Sequence, residues 1–377
     1  MATNMSPGIQ KNRLVSLDAL RGFDMFWIVG ARAIAGGMAS LNLPGASVVA
    51  GQLSHTKWNG FSFYDLIFPL FIFMTGVSLA LSLKKRKGRG DGKGTMMKHI
   101  LKRTIILFAL GIVYNLDFRS YPDFDAIRIM GVLQRIALCY FFASFITIYN
   151  KTRTQAVIIP IILIGYWAIM RFVPVPGFGA GIWTEQGNLE HYVDILLLPG
   201  RLYHGSWDPE GILSTLPAVA TCLLGVMAGH LLQVREWKGK PVNPLHRVQV
   251  MVFSGIALTM IGLLMDPIFP INKNLWSSSF VLFTAGLSAI LLAVFHWLID
   301  LRGYRQWAFP FVVIGVNSIF IYLAARFIPF DRIARWLTAG TQTFWGQSLD
   351  LVTALIQLFL EWLLLFFLYK RKIYIKI

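Results

Sequence analysis

Long runs of apolar residues alternate with short polar segments along the whole chain. Ten runs are visible, at roughly 14–37, 61–83, 101–116, 129–149, 155–173, 211–233, 248–269, 277–299, 307–328 and 350–370. A helix needs about 20 apolar residues to cross the ~30 Å hydrocarbon core of a bilayer, and most runs reach that length. Because a helix satisfies its own backbone in lipid, the pattern predicts an all-α polytopic membrane helix bundle of about ten, possibly eleven, transmembrane helices. No separate soluble domain is visible, so residues 1–377 are predicted to form one transmembrane domain.

The composition agrees with this pattern. Hydrophobic residues make up 56% of the chain and charged residues 14%, and the mean hydropathy is +0.60. Soluble domains carry about 25% charged residues, so the composition excludes an ordinary soluble protein. The two cysteines, Cys139 and Cys222, lie in apolar runs without a CxxC pattern, and they therefore indicate no disulfide framework.

The basic residues, which give a net charge of +17, are unevenly distributed among the connections. If the N-terminus is cytoplasmic, the cytoplasmic segments contain 23 Lys and Arg residues and the outer segments nine. This positive-inside bias predicts that both termini are cytoplasmic, and it explains the charge without a nucleic-acid partner. The basic loop 84–103 then faces the cytoplasm, whereas the longest connection, 174–210, lies outside. Long loops of this kind often carry function.

Ionisable residues inside apolar runs are candidates for function because they are costly in lipid. In the first run, Arg21 follows Asp18 by three residues, which allows a structural pair, and Arg32 lies near the outer end. In the fourth run, Gln134 stands beside Arg135, which requires an anionic partner or ligand. We expect a carboxylate to meet such an arginine.

Two further polar positions fall within apolar runs. Asp65, one turn into the second run, is the carboxylate that we expect to pair with an intramembrane cation. Asn317 lies in the ninth run, where hydrogen bonding between helices is the plainer interpretation and ligand binding the alternative.

The stretch 53–73 combines polar and apolar chemistry at the outer end of the second run. His55 has a side-chain type whose usual pKa, near 6.5, suits a general base or an acyl-accepting nucleophile. Trp58 and Asn59 supply an apolar wall and a hydrogen-bonding amide beside it, and Asp65 supplies a carboxylate. A solvated loop histidine without function is an equal alternative on these residues alone.

Three other histidines do not change this interpretation. His191, His204 and His230 have a spacing that fits no standard zinc pattern, so no metal site is predicted.

Six strings, in order along the chain, carry a resemblance to a known family. They are RLVSLDALRG (13–22), HTKWNGFSFYDLIFPLFIFMTG (55–76), GVLQRIALCYF (131–141), DPEGILSTL (208–216), PINKNLWSSSFV (270–281) and YKRKIYIKI (369–377). Together they resemble the heparan-α-glucosaminide N-acetyltransferases. The resemblance implies that acetyl from cytosolic acetyl-CoA crosses the membrane to the amine of a glucosamine residue.

The resemblance also implies roles for individual residues. The catalytic histidine of the family falls on His55, as base or acetyl carrier, with Asn59 and Trp58 shaping the pocket and Asp65 orienting the ring. An asparagine that the family has in its first span is not matched, because Arg32 stands at the comparable position. The further candidates for CoA or sugar contacts are Arg21, Arg32, Gln134, Arg135, Asp208, Glu210, Lys273, Asn274, Trp276 and Asn317.

The resemblance extends to the setting of the protein. The animal enzymes have a long N-terminal extension and an extra helix before the first matching string, and this chain begins almost at once with that string. We therefore expect a protein of the bacterial inner membrane, and the family leads us to expect a homodimer.

Two other function classes remain open. A membrane O-acyltransferase of a cell-envelope glycan shares the LDxLRG start but not the HxxWNG and NKNLW strings. A sugar or anion transporter also fits ten spans with intramembrane charges, although no repeat symmetry or matching pair of broken helices is visible. Within the acetyltransferase hypothesis, a ping-pong route through acetyl-His55 and a ternary route with His55 as base are both compatible with the sequence.

Overall fold

A computed structural model describes residues 14–41, 43–116, 127–205, 207–237 and 239–375. Two short antiparallel hairpins accompany the helices: β1 (Pro174–Val175) with β2 (Gly179–Ala180), and β3 (Glu236–Trp237) with β4 (Lys240–Pro241). The helices are α1 (Val15–Ala39), α2 (Ala46–Gln52), α3 (Ile67–Lys87), α4 (Lys93–Asn115), α5 (Val132–Tyr149), α6 (Thr152–Phe172), α7 (Leu189–Leu197), α8 (Ile212–Leu232), α9 (Pro244–Met265), α10 (Ser278–Phe295), α11 (Phe309–Gly315), α12 (Ser318–Phe327), α13 (Phe330–Thr338), α14 (Gln342–Trp345) and α15 (Leu349–Lys370).

The predicted polytopic helix bundle is confirmed. Seven helical segments of the described chain are long and apolar enough to cross a membrane, and a bent pair, α11 with α12, makes an eighth. Helices α1 and α4 have 25 and 23 residues but carry several charges, which lower their hydropathy. With these two, each of the ten predicted runs coincides with a helix or a helix pair. The exact number of spans and the cytoplasmic position of the termini stay predictions.

Two runs differ in shape from the sequence pattern. The ninth run is not one straight helix, because α11 and α12 meet at an angle of 74°. The third run continues back to Lys93, since lysine and methionine favour helix and the charged end of α4 is exposed. A transporter built from inverted repeats would have a second broken helix in a matching position, and the described residues contain one such bent pair.

Helices α3, α8 and α10 form the centre of the bundle, whereas α6, α9 and α15 lie at its periphery. Small residues allow the central helices to approach closely, as is common between membrane helices. A Cβ added to Gly76 of α3 would lie 1.9 Å from the Cys222 carbonyl oxygen, and one added to Gly225 of α8 would lie 1.9 Å from that of Phe73. This close packing fixes α3, which directly follows the short turn that carries Asp65.

Four connections meet at one end of the bundle and build its outer cap: 40–62, 127–131, 174–211 and 266–277. Trp58 donates a hydrogen bond to the Trp183 carbonyl, the Gly60 amide donates to Ile271, and Arg128 pairs with Asp208. The described residues of the long connection 174–210 include β1, β2 and α7. All four connections belong to the side that the charge pattern assigns to the exterior.

Candidate functional site

His55 lies between α2 and a short 3₁₀ turn, Phe63–Leu66, that leads into α3. Within this turn, Asp65 is completely buried. Its Oδ2 accepts hydrogen bonds from the Ser62 amide at 3.1 Å and the Thr56 hydroxyl at 3.1 Å, with the Ser62 hydroxyl 2.9 Å away. These contacts compensate the burial of the carboxylate and leave Oδ1 free for the histidine.

The pair formed by His55 and Asp65 has the geometry of a general base and its orienting carboxylate. Nδ1 of His55 lies 2.7 Å from Oδ1 of Asp65, and the imidazole stacks on the Tyr64 ring at 4.5 Å. Because the carboxylate accepts the Nδ1 proton, Nε2 carries the lone pair. The His55 side chain is 48% exposed, so its ring is accessible from the outer cap.

Lys273 also contacts the histidine. Its Nζ lies 2.9 Å from Nε2 and 3.1 Å from Nδ1 of His55. Burial lowers the pKa of Lys273 and the charge of Arg135 acts in the same direction, whereas Asp65 and Glu210 oppose the shift. The sequence singled out Lys273 as a CoA or sugar contact without indicating that it touches His55.

The loop that carries Lys273 is held against the histidine segment by asparagines. Asn272 Nδ2 donates to Oδ1 of Asn59 at 3.0 Å, and Asn272 Oδ1 accepts the Leu275 amide at 2.9 Å. Asn59 therefore positions a loop, where the sequence suggested that it shapes the pocket. Asn274 is half-buried in the same loop.

Trp276 anchors the other end of this loop. It is almost fully buried, has a positive φ of 48°, and donates from Nε1 to the Thr221 hydroxyl at 3.1 Å. A bulky residue in this left-handed region is strained, and the surrounding packing must hold it. The strained turn fixes the path of the chain three residues after Lys273.

Trp58, three residues after His55, packs against the long outer connection. Its indole donates to the Trp183 carbonyl at 2.7 Å and packs edge-on against His191 and Trp207, with ring centres 5.6 Å away in each case. The apolar wall beside His55 that the sequence suggests for Trp58 stays a prediction.

Asp208 and Glu210 are engaged with Arg128. Nε and Nη2 of Arg128 bind the two oxygens of Asp208, each at 2.6 Å, and Nη2 also contacts Glu210. The charge of Arg128 is therefore neutralised inside the outer cap. The two acids join the start of the α5 segment to the loop before α8.

Arg135 is completely buried in the bundle. Its Nη2 donates to the Gly211 carbonyl at 3.1 Å and to the Ser214 hydroxyl, and its guanidinium lies 5.0 Å from the centre of the Trp276 ring. Nε and Nη1 have no hydrogen-bond partner within the described part of the chain. The pairing of Asp65 with such an arginine is therefore a wrong prediction, because the contacts of Asp65 go to His55 and its neighbours.

The sequence reasoning missed two buried acids of α7, Glu190 and Asp194. Ser214 donates to Glu190 Oε1 at 2.7 Å, and the Ile212 amide donates to Asp194 Oδ1 at 2.8 Å. Burial raises the pKa of both carboxyl groups, that of Asp194 to about 7. Their spacing of four residues, which places them on one helix face, was the signal that was available.

The remaining predicted residues are distributed over several helices. Arg21 donates to the Ser78 hydroxyl of α3, Gln134 is buried, and Arg32 is exposed. Asn317 lies at the bend between α11 and α12, where its side chain accepts the Ile375 amide at 2.9 Å and donates to the Ile373 carbonyl at 3.0 Å. The expected bond between helices is thus a bond to the C-terminal segment.

No three His, Cys, Asp or Glu side chains converge on one point among the residues that the structure describes. The absence of a metal site stays a prediction.

Comparisons with known proteins give a consistent result. The model of the family "Heparan-alpha-glucosaminide N-acetyltransferase, catalytic" matches residues 13–266. The chain is 27% identical over 414 residues to heparan-alpha-glucosaminide N-acetyltransferase of Mus musculus, and 28% identical over 419 residues to that of Homo sapiens. These alignments cover 97% of this chain but 61% and 60% of the relatives, so the chain spans about three fifths of their length.

Proposed function

Because this chain belongs to the catalytic family of heparan-alpha-glucosaminide N-acetyltransferases, we propose that it transfers the acetyl group of acetyl-CoA to the amine of a glucosamine-type sugar. The protein is an integral membrane protein, and the donor is the cytosolic substrate in this proposal. In the same proposal the acceptor amine binds on the outer side of the membrane. The observation that carries the proposal is the pair of His55 and Asp65, which lies in the outer cap with the His55 side chain 48% exposed.

In the ternary route, the sugar amine attacks the thioester carbonyl carbon while Nε2 of His55 takes the amine proton. The new C–N bond forms, the C–S bond breaks, and CoA leaves with the electron pair of that bond. Asp65 stabilises the imidazolium through its bond to Nδ1. In the ping-pong route the same Nε2 attacks the thioester first, so both routes use one nitrogen and one orienting carboxylate.

Other residues supply candidate contacts to the two substrates. The basic loop 84–103 and the buried Arg135 offer positive charge for the phosphates of CoA, and Trp58 and Asn274 lie in or beside the outer cap, toward the sugar. Arg135 is supported by its two unpartnered nitrogens. The bacterial inner membrane and a homodimer stay predictions from the sequence.

The test is CoA release by the purified chain in lipid nanodiscs with acetyl-CoA and glucosamine. We expect turnover by the wild type and a loss of about 10²–10⁴-fold in kcat for His55→Ala, the range of general base catalysis. His246→Ala, at the exposed start of α9, is the matched control and should keep full activity. No turnover with any amino sugar would remove the proposed reaction, and turnover that survived His55→Ala would remove the site.

A further inference from the structure

The primary amine of Lys273 lies beside the base that an acceptor amine must reach. Its Nζ is 2.9 Å from Nε2 of His55, the nitrogen that removes the amine proton in the proposed reaction. A lysine side chain and a glucosamine carry the same reacting group. The two amines therefore compete for one base.

The surroundings favour the reactive form of this lysine. Burial lowers the pKa of Lys273, which increases the neutral, nucleophilic fraction of its amine at a given pH. Asn272 and Trp276 fix the loop on both sides of it through their bonds to Asn59 and Thr221. A nucleophile held at hydrogen-bond distance from a base reacts with a large advantage over a free one.

We propose that Lys273 is an internal acetyl acceptor, which becomes Nε-acetylated when acetyl-CoA is bound and no sugar amine is present. This inference rests on the proposed function. Nζ attacks the thioester carbonyl carbon and loses a proton to Nε2 of His55. The N–C bond forms, the C–S bond breaks, and the proton passes to the departing CoA sulfur.

The product has a functional consequence. Acetyl-Lys273 is an amide, so it does not pass its acetyl group on to a sugar, and it carries neither charge nor a basic amine. Its acetyl group fills the approach to Nε2 of His55. Preincubation with acetyl-CoA alone therefore inactivates the enzyme, and the acceptor sugar protects it by competing for the same base.

The experiment incubates the full-length protein in nanodiscs with isotope-labelled acetyl-CoA and no sugar, and maps acetyl-lysine by peptide mass spectrometry. We expect near-complete label on Lys273 in the wild type, at least tenfold less in His55→Ala, and less again with glucosamine present. Lys57, exposed and two residues from His55, reports chemical background and should be labelled weakly and equally in all samples. Lys273→Arg should lose the label and resist inactivation, and Lys57→Arg should behave as the wild type.

The nature of the bond separates this inference from a covalent histidine route. An acetyl-imidazole is lost in hydroxylamine, whereas an acetyl-lysine amide survives it. Label that is lost in hydroxylamine, or Lys273 labelled no more than Lys57, would overturn the inference while CoA release with glucosamine continued. Stable label on Lys273 without turnover on any amino sugar would support it and instead remove the proposed acceptor. Absence of both label and turnover would remove both.

Discussion

Two groups of polar residues lie in or beside the outer cap, and they differ in how far their charged atoms are hydrogen-bonded. The His55 site, formed by His55, Asp65 and Lys273, is partly exposed, and its carboxylate has hydrogen bonds on both oxygens. The α7 cluster, formed by Arg135, Glu190, Asp194 and Ser214, is completely buried. Four of its atoms lack a hydrogen-bond partner among the described residues: Nε and Nη1 of Arg135, Oε2 of Glu190 and Oδ2 of Asp194.

The difference shows what each group can do. At the His55 site the buried carboxylate is compensated, so it keeps its charge and orients a base that substrates can reach. In the α7 cluster, unpartnered buried atoms cost stability, and the charge state responds to pH. Gly211 allows the two acids to approach the start of α8, since a Cβ there would lie 1.9 Å from Oδ2 of Asp194. The proposed chemistry therefore belongs to the His55 site, whereas the contacts of the α7 cluster hold the outer cap on α5 and α8.

The largest expected effect comes from removing the orienting charge at the His55 site. Asp65→Asn should lower kcat by roughly 10²–10⁴-fold, because the amide favours the wrong tautomer of His55. The rate of CoA release and the extent of Lys273 acetylation should fall together, since both reactions use Nε2 of His55. Asp350→Asn, at the exposed start of α15, should leave kcat unchanged. A normal kcat in Asp65→Asn would show that the carboxylate does not act through the histidine.

A smaller effect is expected from Arg135→Met in the α7 cluster. Removing one member of a buried charge network lowers the free energy of unfolding by about 3–5 kcal/mol. Denaturation followed by tryptophan fluorescence in a fixed detergent measures this change, and Lys98→Met on the exposed face of α4 is the control. If activity fell while stability stayed at the wild-type value, Arg135 would be a substrate contact and not part of a structural cluster.

The smallest effect concerns the pH dependence of stability. Burial raises the pKa of Asp194 to about 7 from 3.8, so the folded state binds this proton more tightly than the unfolded state. Its contribution is complete below about pH 4 and is lost as the pH rises through about 7, a change of about 1–3 kcal/mol. Melting temperatures of Asp194→Asn should therefore decline less between pH 4 and 7 than those of the wild type.

His191 on the same helix gives an opposite trend that the measurement must separate. Burial lowers the pKa of His191 to about 4, so its contribution is present above about pH 6.5 and is lost as the pH falls toward 4. His191→Gln removes the pH dependence of stability that His191 causes and leaves the one that Asp194 causes. If the melting temperatures of Asp194→Asn and the wild type changed with pH in parallel between pH 4 and 7, the raised pKa of Asp194 would be contradicted.

The sequence predicted the fold class because hydropathy and helix length are local properties. Each apolar run is long enough to span the bilayer by itself, whatever its neighbours do. The bend between α11 and α12 escaped this reasoning, since both halves are apolar and no proline marks the break at Asn317. At this break the Asn317 side chain hydrogen-bonds the backbone of Ile373 and Ile375, more than fifty residues later in the chain.

The sequence alone determined the segment that carries the candidate chemistry. His55 and Asp65 are ten residues apart on one connection and the turn that follows it, so a short stretch of chain brings them together. Only the tertiary structure decided which groups surround them. Lys273 contacts His55 although 218 residues separate them in the chain, and Arg128 forms ion pairs with Asp208 and Glu210. The physical reason is that helix packing sets the positions of connections, whereas local sequence sets only which polar groups each connection offers.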